Sequence, residues 1–458
     1  MASRNIPSNT DYLIVGGGTA GLVVACRLSE NPERHIVVLE SGPDASNDSR
    51  VKEPEAWSSL SGSELDWKPK ICPQYGFNDR VPDHPAGKLL GGSSAINGAV
   101  FTPLTRAGID AWAQLGNSKW DWESLRPCLQ RSYTLHAPES SRQLSENGND
   151  PADGPIQVVF PALDDKKSNA LCQAWKEAFR SQGYDYSTDI LAEKKTIGTR
   201  DYMATIDPTS GLRSSADNEY VGENLQNHLT SMFPVPLKPH PDLDGMSLGF
   251  KGVTFARLDP GKQSKLLSES PKPISPSDRV IQALLRSSDE ASAVLLMTVI
   301  PGNMVILGVI SSFPFSRGNC HIESTDPNDM PTIDTRYFSH DLDIEILARH
   351  VQSLHHLTTD PALQPFLYPS TSLMDLETIK AHLREATASS CHHGCGTAAM
   401  LPREAGGVVD QDLKVFGTEN LRVVDVSIFP LITCANPVAT VYAVAERAAD
   451  IIRRTQRD

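Results

Sequence analysis

The 458-residue sequence has no excess of basic residues, no long unbroken apolar run and no Cys-x-x-Cys pair. Lys and Arg number 42 against 56 Asp and Glu, a formal net charge of −14. That balance removes the charge-driven affinity for a nucleic-acid backbone, so no nucleic acid is expected as a partner. An anionic cofactor would need locally placed donors. The longest apolar stretch, Ala291 to Ile310, is broken by Pro301-Gly302-Asn303 and reads as a β-hairpin, not as a membrane helix. The opening residues MASRNIPSNTDY lack the apolar core of a secretory signal, and the closing RRTQRD matches no retention or lipidation signal. The eight cysteines are scattered, and a chain of this length needs no disulfide framework. The sequon Asn47-Asp48-Ser49 carries little meaning without a signal. A reduced, cytoplasmic protein without a membrane span is expected.

What is present is an ordinary globular composition, 39% hydrophobic and 21% charged. At about 150 residues per domain the length predicts two to three domains. Residues 136–154 and 259–278 are polar and rich in Gly, Pro and Ser, and read as exposed connections. The N-terminal pattern is βαβ: a strand over Asp11–Val15, a turn over Gly16–Gly21, a helix face over Leu22–Leu28 and a strand over His35–Leu39. Near the C-terminus a strand is expected over Leu421–Asp425 and a long helix over Pro437–Arg454.

Gly16-Gly17-Gly18-Thr19-Ala20-Gly21 fits G-x-G-x-x-G between that first strand and helix. Gly16 permits the tight turn, Gly18 lets backbone approach a pyrophosphate, and Gly21 allows close helix–strand packing. Thr19 and Ala20 open the helix, whose free N–H groups and positive dipole end suit a diphosphate. Glu40 ends the second strand, where an acid accepts ribose hydroxyls and disfavours a 2′-phosphate, hence NADP. Strand, helix and acid together outweigh the plain alternative of a Gly-rich turn beside a surface Glu. Composition does not choose between NAD and FAD.

Gly87–Val100, reading GKLLGGSSAINGAV, is a second motif, followed by Asp110-Ala111-Trp112, Asp121-Trp122, Arg213–Ala216, Gly222–His228 and Ser316-Arg317-Gly318. The last block holds His393-Gly394-Cys395-Gly396-Thr397, Gly406–Asp410, Leu421–Asp425 and Asn436-Pro437. With these motifs the sequence resembles the glucose–methanol–choline (GMC) oxidoreductases, which use FAD. The resemblance implies an α/β chain (α+β overall). A Rossmann-like FAD-binding domain would comprise 1–155, 205–230 and 385–458. A substrate-binding domain with an antiparallel sheet and flanking helices would comprise 156–204 and 231–384. It implies that the loop from Leu90 to Val100 runs along the flavin, with Gly91, Gly92, Ser93, Asn97, Gly98, Ala99 and Val100 against it. Asp425, Pro437 and Val438 join this set. Ile96 stands where some relatives carry a histidine bonded to the flavin, so noncovalent FAD is expected.

By the same resemblance His393 is the catalytic histidine and Asn436 its partner. Alcohol oxidation removes a hydroxyl proton while carbon releases a hydride, and a neutral imidazole suits the proton. An amide can hold the substrate oxygen in line. Asn436 before Pro437 also reads as a helix N-cap with Pro at N1. That helix would aim its positive end at the flavin. Cys391-His392-His393-Gly394-Cys395 is too crowded to wrap a tetrahedral ion, so no metal is expected. His392 is left without a role.

The sequence departs from the family after Tyr220, which runs straight into Val221-Gly222-Glu223-Asn224. Relatives have several strands and helices there, including a core strand of the cofactor domain. Each large side chain lost from such a core is worth about 1.5–3 kcal/mol, against about 5–15 kcal/mol for a whole domain. The leading expectation is an FAD-dependent dehydrogenase or oxidase for a small organic alcohol, with O2 or another electron acceptor, in a setting such as secondary metabolism. The alternatives are a cofactor-impaired or non-catalytic remnant and a redox-neutral enzyme like the hydroxynitrile lyases.

Overall fold

A computed structural model of the chain describes residues 9–102, 104–136, 154–161, 169–187, 195–219, 229–243, 246–270, 273, 275–326, 329–369 and 375–455. The junction of Tyr220 and Val221, the motif 222–228 and most of the connection at 136–154 lie outside them. Among the described residues no helix is long and apolar enough to cross a membrane.

The N-terminal βαβ unit forms as the apolar pattern predicts. Strand β1 (Tyr12–Val15) pairs in parallel with β2 (Ile36–Leu39), Tyr12 opposite Ile36. Between them helix α1 (Thr19–Ser29) buries Ala20, Leu22, Val23, Val24 and Leu28. Its open face meets the C-terminal helix Val438–Arg454, which also packs on Trp122–Ser132. A buried carboxylate locks the three together: Glu446 accepts from Arg27 at 2.8 Å and lies 3.6 Å from Arg131.

Two differences from expectation appear here. The parallel sheet contains only β1 and β2 among the described residues, and Leu421–Asp425 forms no strand. Its one pairing is an isolated bridge between Arg422 and Lys414. A strand is defined by its neighbours, and among the described residues β1 and β2 are the whole of this sheet. One face of the sheet is bare, with Leu13 54%, Val15 79% and Leu39 36% exposed. Tyr12 and Ile14, on the opposite face, pack into the core.

The central region is built on a six-stranded antiparallel sheet in the order 388–390, 229–236, 304–311, 293–300, 249–256, 198–200. The hairpin read from Ala291 to Ile310 is its centre: Ala293–Ile300 pairs with Met304–Ser311 around Gly302 (φ 87°) and Asn303 (φ 55°). Helix Asp341–Leu357 covers the sheet with Leu347, Val351 and Leu354, and Trp175 of helix Asn169–Ser181 seats on Gly252. A Cβ at Gly252 would lie 2.6 Å from that indole.

Residues 259–278 are not the connection their composition suggests. They hold the helix Pro260–Glu269 and the start of Pro276–Arg286. Asp259 accepts from the Lys262 N–H, and Ser275 with Asp278 forms a capping box, so the residues that resemble loop punctuation are helix starts. A smaller sheet joins Val100–Phe101, Met203–Ala204, Ile156–Val159 and Tyr133–His136, and carries the second glycine motif toward the C-terminal helix.

Candidate active site

The first glycine motif builds a cradle. Gly16 takes φ 101°, open to glycine and strained for other residues, and turns the chain from β1. A Cβ at Gly21 would sit 2.3 Å from the Gly16 carbonyl oxygen, so only glycine lets α1 start this close to the strand. Gly18 is the extended residue before the helix and offers no side-chain cap; Thr19 and Ala20 are buried in the first turn. The helix N–H groups at this end are left for a ligand. Glu40 closes the rim: its carboxylate accepts from Gly17 N–H at 2.8 Å and Gly42 N–H at 2.6 Å.

The second motif is pinned to the first. Gly91 N–H donates to the Gly17 carbonyl at 3.3 Å, and Leu90 N–H to Pro43 at 2.9 Å. Gly91 has φ 89°, and a Cβ there would come within 2.3 Å of the Asp217 side chain. Gly92 begins the short helix Gly92–Ile96, and Ser93 accepts from Gly87 N–H at 3.2 Å. Asn97 then accepts from Ala99 N–H at 2.8 Å and from the Arg213 guanidinium at 2.9 Å. This double hold forces Ala99 into φ 55° and sets the course of Asn97, Gly98, Ala99 and Val100. Arg213 is fully buried and bonds the carbonyls of Val51 and Ser94 as well. Burial lowers its pKa to about 10, which leaves it charged at neutral pH. The sequence offered Arg213 only as a motif match; a buried arginine beside an asparagine in a Gly-rich loop is a positioning signal.

The two C-terminal residues meet. Asn436 Nδ2 lies 3.2 Å from His393 Nε2. With the amide donating, Nε2 carries its lone pair, the form a proton acceptor needs. Asn436 Oδ1 is buried with no hydrogen-bond partner, an acceptor left for a ligand hydroxyl. The expected capping role is not taken: helix Val438–Arg454 starts after Pro437 with no side-chain cap, while the Asn436 Nδ2 meets His393. Thr102 donates to the Asn436 carbonyl at 2.9 Å, so a continuous chain of contacts runs from the cradle through Asn97 and Val100 to the pair.

His392 acquires an account. It takes φ 61°, turning the chain so that His393 faces Asn436, with its N–H on Ser390 Oγ at 3.0 Å. Its ring meets His84 edge-on at 6.3 Å. Burial holds His84 down at about 4, hence neutral. Cys391 Sγ lies 4.0 Å from His393 Nε2, and burial pushes this thiol up to about 12.

A cavity of about 840 Å³ reaches Gly394, the residue after His393, and is lined by Trp67, His84, Arg317, Cys395, Asp425 and Phe429 among others. Gly394–Thr397 and Pro430–Ile432 form part of its wall, while His393 and Asn436 are not among its lining residues. Asp425 accepts from Ser427 N–H at 2.7 Å, and burial raises its pKa. The glycine cradle, the open helix end and the unpartnered Asn436 oxygen fit a dinucleotide cofactor with a flat ring.

Comparison with known proteins agrees. Family models described as GMC oxidoreductase match residues 10–232 and 314–445. The chain is 27% identical to the GMC oxidoreductase family protein Mala s 12 of Malassezia sympodialis, covering 96% of this chain and 92% of that protein. It is 27% identical to pyranose dehydrogenase 3 of Leucoagaricus meleagris, covering 98% and 94%. The solved FAD-dependent oxidoreductase from Chaetomium thermophilum has the same fold, with TM-score 0.84 and 21% identity over 98% of this chain and 100% of that one. The alignment with Mala s 12 runs over 571 positions, whereas 96% of 458 residues is roughly 440, so roughly 130 positions face gaps in this chain.

Proposed function

We propose that this chain, which belongs to the GMC oxidoreductase family and takes FAD as its cofactor, oxidises the CH–OH group of a small organic alcohol. The observation that carries the reading is the 3.2 Å approach of Asn436 Nδ2 to His393 Nε2, tied to the glycine loop through Thr102. When bound, FAD supplies the acceptor for the two electrons and the hydrogen that leave carbon as hydride. A substrate hydroxyl that displaces the Asn436 Nδ2 contact gives its proton to His393 Nε2, and Asn436 orients the substrate oxygen through its amide. Gly16, Gly18, Thr19, Ala20 and Gly21 hold the diphosphate, and Glu40 receives the ribose. Gly91, Gly92, Ser93, Asn97, Gly98, Ala99 and Val100 lie along the ring, with Asp425, Pro437 and Val438 completing the site. Ile96 offers no nucleophile, so the cofactor is held noncovalently. The electrons pass on to O2 or another acceptor.

The domain division at 155, 204, 230 and 384 goes with this reading, the central six-stranded sheet forming most of the substrate side. The test is anaerobic mixing of the FAD-loaded protein with a panel of primary and secondary alcohols, following loss of the oxidised flavin band. At least one alcohol bleaches the flavin, and His393→Ala abolishes the bleaching while FAD stays bound. Equal rates in the variant would remove His393 from the role.

A second reading, a cofactor-impaired remnant, is favoured by one observation, the bare face of Leu13 and Val15. Failure to retain FAD would select it.

A further inference from the structure

A thiol stands beside the pair and has no part in the reaction described above. Cys391 directly follows the edge strand Ala388–Ser390. Ser390 pairs with Leu229 and its Oγ accepts the His392 N–H at 3.0 Å, so sheet pairing fixes the place of the thiol. Cys391 Sγ lies 4.0 Å from His393 Nε2, the atom that Asn436 Nδ2 meets at 3.2 Å. Thiol, imidazole and amide thus converge on one point, and the same amide holds the buried, unpartnered Oδ1. Other thiols are placed differently. Cys434 donates to Ser312 Oγ at 3.3 Å and Cys128 to the Ser124 carbonyl at 3.7 Å, while Cys26 and Cys320 are exposed.

Oxidation of a primary alcohol at the pair yields an aldehyde, whose electrophilic carbon is one bond from the oxygen that His393 and Asn436 hold. A cysteine adds to such a carbon when a base within reach takes its proton. We propose that Cys391 is a covalent, reversible binding site for aldehydes. The S–H proton passes to His393 Nε2 as the sulfur–carbon bond forms and the carbonyl π pair moves onto oxygen. Nε2 then gives the proton to that oxygen. The adduct is a hemithioacetal, no electrons are gained or lost, and the imidazole ends as it began. Its new hydroxyl is a donor, and Asn436 Oδ1 is an acceptor for it. Burial holds the thiol up at about 12, so it waits as S–H, leaves Nε2 to the alcohol and adds only with the help of the imidazole. The adduct fills the place of the next alcohol, which makes the aldehyde product an inhibitor. The inference rests on the reading of His393 and Asn436 as a pair that works on CH–OH donors.

The test uses the FAD-loaded protein with Cys26→Ser and Cys320→Ser, which remove the exposed thiols, and acetaldehyde and benzaldehyde carrying carbon-13 at the carbonyl. At least one aldehyde is expected to give a protein-bound resonance of a carbon bonded to hydrogen, sulfur and oxygen. Adding Cys391→Ala abolishes it, and adding His393→Gln slows its appearance roughly a hundredfold, as loss of a proton acceptor does. During turnover of the fastest primary alcohol, Cys391→Ala raises the inhibition constant of the aldehyde product at least roughly tenfold. No such resonance with either aldehyde, or one that survives Cys391→Ala, would overturn the proposal. An unchanged rate of adduct formation in His393→Gln would overturn it too. If no alcohol bleaches the flavin, the oxidase or dehydrogenase reading falls, and the labelled-aldehyde spectrum still decides this one. If alcohols bleach the flavin and no adduct forms, that reading stands and this one falls.

Discussion

Asn436 spends its side chain on His393. The 3.2 Å contact from Nδ2 to Nε2 replaces the helix cap that Asn-Pro at a helix start leads one to expect, and it leaves Oδ1 buried and unpartnered. With the amide donating, the imidazole carries its proton on Nδ1 and its Nε2 lone pair faces Asn436. It follows that Asn436→Ala slows flavin reduction by roughly 10- to 100-fold and leaves the FAD dissociation constant within about twofold. His393→Ala costs more, roughly 10²- to 10⁴-fold, as the loss of a general base does. Stopped-flow reduction and FAD titration of the two variants check both numbers.

The glycine loop depends on Arg213. Its guanidinium donates to Asn97 Oδ1 at 2.9 Å from a fully buried position. Arg213→Met should release Asn97, relax the φ 55° turn at Ala99 and weaken FAD binding at least roughly tenfold, since hydrogen bonds to charged groups contribute about 1.5–3 kcal/mol. Unchanged FAD affinity by fluorescence titration would contradict this.

Glu290 ties stability to pH. It titrates near 7 in the folded chain against an ordinary 4.5, so the folded state holds the proton more tightly. The penalty for burying this group is absent below about pH 4.5, grows from there to about pH 7 and is complete above, at about 3 kcal/mol. Glu290→Gln removes it. The urea midpoint of the variant, relative to wild type, is therefore expected to be higher at pH 8 than at pH 5; an equal difference at both values would refute the assignment.

The bare face of the βαβ unit makes its own forecast. Leu13 and Val15 touch water, so Leu13→Thr with Val15→Thr changes stability by no more than about 0.5 kcal/mol while lowering binding of an apolar dye. Leu22→Ala, in the buried face of α1, costs about 2–5 kcal/mol. Chemical denaturation of the two variants side by side separates these cases.

Much of the site was legible because its residues are local. Gly16–Gly21, Glu40 and the loop Gly91–Val100 declare themselves by backbone need, and the structure gives Gly16 and Gly91 the positive φ that their places require. The hairpin around Gly302-Asn303 was legible for the same reason. What escaped depends on partners distant in sequence. Leu421–Asp425 has the composition of a strand, but no strand among the described residues pairs along it. The helices within 259–286 escaped because Asp259-Pro260 and Ser275-Pro276 serve loops and helix starts alike, and only what packs behind Leu267 and Ile281 decides. Arg213 acts through burial, which no local pattern announces.

The account stands on a shortened chain that still builds a cofactor site. The most direct measurement is the absorption spectrum of the purified protein after incubation with FAD and gel filtration. The account predicts oxidised-flavin bands eluting with the protein at about one FAD per chain, lost when Gly91→Ala is introduced. A colourless protein that free FAD does not restore would contradict it, and would leave His393 and Asn436 a pair without a reaction.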